Sequence, residues 1–84
     1  MPVISKFKGM IVKMYFLASE HNPPHIHVVK GERLAVIDIQ TAKMIEGDLP
    51  KKSLSAAIAW TIQNKDALLE MWNTQDIKQL PPLK

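Results

Sequence analysis

Cysteine is absent from this 84-residue chain, which excludes disulfide staples, thiolate zinc sites and thiol nucleophiles. Glycine is scarce, and Gly9, Gly31 and Gly47 stand apart, so no glycine-rich phosphate cradle exists. Arginine is scarcer still: of eleven basic residues, Arg33 is the only one that is not lysine. Nucleic-acid readers lean on arginine for bidentate contacts, so the net charge of +3 points only weakly to a polyanion, with Lys51, Lys52 and Arg33 as candidate contacts. A solvated lysine-rich surface explains the same charge. No apolar run approaches the roughly 20 residues of a membrane helix, and residues 1–13 carry three lysines without an apolar signal core. A cytoplasmic location without membrane association is the expectation.

What is present is a globular composition, 46% hydrophobic and 23% charged, in a chain too short for two cores. One domain spans residues 1–84: residues 1–47 read as sheet, 50–76 as helix and 77–84 as an extended tail. Alternation at Val3 to Lys8 and the β-rich run Ile11 to Phe16 suit two strands separated at Gly9. His25 to Lys30 and Arg33 to Gln40 form a further pair. Gly31-Glu32 between them has the form of a type II′ hairpin loop. Lys43 to Glu46 then folds back after Thr41-Ala42, a turn lacking the glycine of a primed type. Pro50 suits the first helical turn. Leu54, Ile58 and Ile62 recur at i+4, with Ala57 widening the stripe. Asn64 reads as the N-cap of a second helix carrying Asp66 at its positive end. Leu68, Leu69 and Trp72 supply that helix's apolar face, leaving Trp60 and Met71 off both stripes. The class expected is α+β: an antiparallel sheet of four to five strands with two C-terminal helices packed on one face.

All three histidines, His21, His25 and His27, fall within seven residues. If Gly31-Glu32 is the loop, Lys30 pairs with Arg33, His27 with Val36 and His25 with Asp38. Side chains alternate along a strand, so His25, His27 and Asp38 share a face. Three readings compete. His25 or His27, oriented by Asp38, is a candidate catalytic acid or base. His21, His25, His27 and Asp38 are a candidate divalent-metal set, the one cofactor implied. The third reading is structural, with Asp38 accepting a hydrogen bond from His25. Ile26, Val28, Ala35, Ile37 and Ile39 fall on the opposite, helix-facing side. Val29, Leu34 and Val36 join the histidines, an apolar set that predicts cover from other strands, the proline-rich loop or a second chain. No serine sits in a nucleophile-elbow context.

Ile4-Ser5-Lys6-Phe7, Met14-Tyr15-Phe16 and, above all, Glu20-His21-Asn22-Pro23-Pro24-His25-Ile26-His27-Val28 resemble a small bacterial family, the domain-of-unknown-function family numbered 4160. The likeness runs on through Ala35 to Ile39, Glu46 to Pro50, Trp60, Leu69 to Trp72 and Pro82-Leu83. Ala42 stands where that family leads one to expect glycine. The resemblance implies a gene paired with another small gene, in an arrangement like a toxin–antitoxin pair, with this chain the toxin-like member. The partner so implied is a small protein encoded nearby; RNA is a further candidate target, and the apolar side of the histidine face makes a homodimer a further candidate. Whether the chain is an enzyme stays open. The alternatives to the toxin-like reading are a metal-binding domain or metal-dependent enzyme on the same histidines, and an interaction module without catalysis.

Overall fold

The computed structural model describes residues 2–15 and 23–83. Five strands form one antiparallel sheet in sequence order: β1 (Val3–Phe7), β2 (Met10–Lys13), β3 (His25–Lys30), β4 (Arg33–Asp38) and β5 (Lys43–Gly47). Two helices follow, α1 (Lys51–Gln63) and α2 (Lys65–Thr74), so the arrangement is the α+β one expected.

Backbone chemistry at the turns sets the registers. Lys8 and Gly9 both have positive φ, 50° and 76°, the pattern of a type I′ turn, and Phe7 pairs with Met10 around it. At Gly31 φ is 60°, while Glu32 has no positive φ. That is the type II′ loop, and the ladder runs from Lys30↔Arg33 through His27↔Val36 to His25↔Asp38. The third turn differs. Asp38 pairs with Lys43, so residues 39–42 make a longer connection closed by the Ala42 amide on the Asp38 carbonyl at 2.8 Å. Ala42 takes φ 57°, a conformation in which glycine would be unstrained.

Strand alternation sends Ile26, Val28, Ala35, Ile37 and Ile39 into the core, all fully buried. The helical side of that core is rotated from the expected stripe. Ser53, Ala57, Trp60 and Thr61 are the buried positions of α1. Leu54 and Ile58 are only partly buried, and Ile62 is 61% exposed. Trp60, expected off the stripe, is fully buried and tilts against Phe7 with ring centroids 5.8 Å apart. Met71 is likewise in the core beside Leu68 and Trp72. One indole covers more apolar area than an aliphatic side chain, so it takes the central position and the flanking aliphatics turn outward. Asn64 is the N-cap residue of α2, as expected, and its carbonyl accepts from the Leu68 amide at 2.9 Å. Its side chain serves the other helix: Nδ2 donates to the Trp60 carbonyl at 2.9 Å and closes the end of α1. Pro50 is the N-cap residue, just outside the first turn.

Beyond α2 the chain turns at Gln75, φ 63°, and runs back in extended form to β1. The Leu80 amide donates to the Ile4 carbonyl at 2.8 Å, and Ile77, Leu80 and Leu83 pack against the core.

The histidine strand and its surroundings

His25 and His27 sit one pleat apart on β3, facing Asp38 and Val36 of β4. The expected register is therefore present. His25 and Asp38 are both about 8% exposed, and the imidazoles of His25 and His27 meet edge to face at 5.2 Å.

The polar atoms of the pair are used locally. His25 donates its Nδ1–H to the Pro23 carbonyl at 2.8 Å. Two prolines in succession hold that segment extended, so the carbonyl is presented to the ring at little entropic cost. Asp38 Oδ1 accepts from the Gln40 amide at 2.8 Å and from the Thr41 amide at 3.2 Å. These bonds hold the turn to β5, where a carboxylate two and three residues back substitutes for the missing glycine signal.

Two aromatic rings complete the surroundings. Tyr15 meets His27 edge-on at 4.4 Å, and Trp72 of α2 tilts over His25 at 5.0 Å. The histidine strand is thus not wholly separate from the helices: α2 reaches round the end of the sheet to His25. Tyr15 was legible in principle, because the Lys13↔His27 pairing extended by two residues brings it beside β3. Trp72 was expected only in the core, where it also lies.

Among the described residues, no group of three or more histidine, aspartate or glutamate side chains is placed to hold a metal ion. His21, the further ligand of the metal reading, lies outside the described residues. The three candidate polyanion contacts are on the surface. Arg33 faces Asp48 at 3.5 Å across solvent-exposed side chains, a contact of small energetic weight. Lys51 and Lys52 are exposed in the first turn of α1, which carries no acidic residue.

The outer face of the sheet is apolar over part of its width. Ile11, Val29 and Leu34 form a row across three strands. Val36 is buried, Val29 is half-buried and Leu34 is 46% exposed. Beside them, Ile45 is the extra residue of an irregularity in β5 and is 51% exposed.

The family model described as "Domain of unknown function (DUF4160)" matches residues 9–73, and the chain belongs to that family. The matched span contains the histidine strand, the Gly31-Glu32 hairpin, α1 and all of α2 but Thr74. It begins after Ile4-Ser5-Lys6-Phe7 and stops short of Pro82-Leu83, so β1 and the tail are not part of the match. No curated protein and no solved structure matches the chain. No helix among the described residues is long and apolar enough to cross a membrane.

Proposed function

We propose that this protein acts by binding a protein partner through the outer face of its sheet, as the toxin-like member of a two-gene pair, with His27 beside the contact surface. The observation that carries this reading is the apolar row Ile11, Val29 and Leu34 across the outer face, with Leu34 46% exposed. The His25 and Asp38 side chains bond flanking backbone, His25 to the Pro23 carbonyl and Asp38 to the Gln40 and Thr41 amides, and so brace two turns beside that face. The apolar row ending at Leu34 is the kind of surface that protein contacts cover.

Expression of the chain with and without the neighbouring small gene tests this. Leu34→Asp is expected to abolish copurification of the neighbour's product and any effect of the chain on growth, while thermal unfolding stays unchanged. Asp38→Asn is expected to preserve both. A growth effect lost in Asp38→Asn or His25→Gln with the fold intact would overturn the reading in favour of chemistry at the pair. RNA cleavage lost on Lys51→Glu with Lys52→Glu would move the target to RNA.

A further inference from the structure

The C-terminal tail is seated in a trough between the β1 edge and α1, and its chemistry is that of a bound peptide. Leu80-Pro81-Pro82-Leu83 has both prolines fixed near φ −65°, and each forces its predecessor into extended geometry, the polyproline II form. The segment makes no regular secondary structure. It is held by two directional bonds of different kinds. The Leu80 amide adds to the β1 edge at the Ile4 carbonyl, 2.8 Å. The buried indole of Trp60 donates its Nε1–H to the Pro81 carbonyl, also at 2.8 Å.

An indole N–H on a proline carbonyl, with leucines on either side packed on an apolar floor, is how aromatic grooves recognise proline-rich segments. Phe7 stacks beside Trp60 and extends the aromatic floor. The tail does not fill the trough. A cleft of about 310 Å³ opens on its β1 side, lined by Val3, Ser5, Lys6, Gln79, Leu80 and Pro82 among others. A second of about 330 Å³ opens on its helix side, lined by Gln63, Asn64, Pro81 and Pro82. Ser5 adds an independent sign: its buried Oγ has no hydrogen-bond partner among the described residues, and Ser5 lines the first cleft.

We infer that this trough is a binding site for a proline-rich partner segment of the Leu-Pro-Pro-Leu type, occupied in cis by the chain's own tail. The surface is distinct from the outer sheet face and stands without the reading proposed for it. Tethering gives the tail an effective concentration in the millimolar range, so a partner segment competes with it and the trough is gated by release of the tail. Gln75 is the pivot, since its backbone takes the left-handed conformation immediately after α2.

The test uses the full chain labelled with ¹⁵N and the Trp60 indole N–H signal, assigned by its loss in Trp60→Phe. Leu80→Asp combined with Leu83→Asp is expected to shift that signal as its bond to Pro81 is lost. A synthetic Lys-Gln-Leu-Pro-Pro-Leu-Lys peptide is expected to return it, binding at least about tenfold more tightly than to the unaltered chain. The same peptide with both prolines changed to alanine is expected not to return it. A signal that the proline peptide leaves in place, or that the alanine peptide restores equally, would overturn the inference. So would a wild-type dimer dissolved by Leu80→Asp, which would assign the trough to a second copy's tail. If the double variant fails to fold, a nitroxide-labelled peptide added to the wild-type chain is expected to broaden the Trp60 indole signal, and no broadening at millimolar peptide would count against the site.

Discussion

Asp38 stands across the β3–β4 ladder from His25, yet its Oδ1 binds the Gln40 and Thr41 amides while His25 Nδ1 binds the Pro23 carbonyl. Each residue of the pair braces a different turn. Asp38→Ala leaves two turn amides without their acceptor and is expected to destabilise the fold by about 1–3 kcal/mol. Asp38→Asn keeps an oxygen at the same place and is expected to recover most of that loss. Chemical denaturation of the two variants distinguishes them, and an Asp38→Asn variant as unstable as Asp38→Ala would show that the charge itself is required.

Gly47 and Gly31 both have positive φ but differ in surroundings. A Cβ on Gly47 would collide with the Leu34 carbonyl oxygen, in the stretch where the Asp48 amide bonds that same carbonyl. Nothing lies within 4 Å of a Cβ on Gly31. Gly31→Ala is therefore expected to cost only the backbone strain, about 1–2 kcal/mol. Gly47→Ala adds a backbone collision and is expected to cost more than about 3 kcal/mol or to prevent folding. Equal midpoints in urea for the two variants would contradict the close approach of β5 to β4.

How much of this was legible in the sequence depends on whether a local rule decides the outcome. The Gly31-Glu32 loop has one favoured geometry, and from it the whole β3–β4 register and the facing of His25 and Asp38 follow. The helical stripe is different. Leu54, Ile58 and Ile62 have the better spacing, but Trp60 has the greater apolar area and an N–H that only the distant tail satisfies. That contact is long-range, so no window of sequence contains it. The Asp38 brace on the Gln40 and Thr41 amides is equally hidden, because a carboxylate opposite His25 on the ladder reads as that ring's partner.

The rotated stripe yields its own expectation. Trp60→Ala empties the centre of the core and is expected to cost about 3–5 kcal/mol. Ile62→Ser changes an exposed position and is expected to stay within about 0.5 kcal/mol of the parent. Thermal melts rank the two, and a strongly destabilised Ile62→Ser would restore the stripe read from spacing alone.

Lys30 reaches from the end of β3 to α1, donating from Nζ to the buried hydroxyl of Ser53 at 2.8 Å. Ser53→Ala removes that acceptor and is expected to cost about 1.5–3 kcal/mol, as for a hydrogen bond to a charged group. Lys30→Met keeps the aliphatic stem, so in a double-mutant cycle the two changes are expected to be non-additive. Additive losses would mean that the bond contributes nothing to docking α1.

His25 braces the Pro23 carbonyl through Nδ1. Long-range ¹H–¹⁵N correlation spectra of the imidazoles, recorded for the parent and for Asp38→Asn where His25 is neutral, test this most directly. The predicted result is a proton on His25 Nδ1, held by Pro23, with the same tautomer and nitrogen shifts in both proteins. A His25 protonated on Nε2, or a tautomer that changes when Asp38 becomes asparagine, would show that the two side chains act as a couple and would contradict the account.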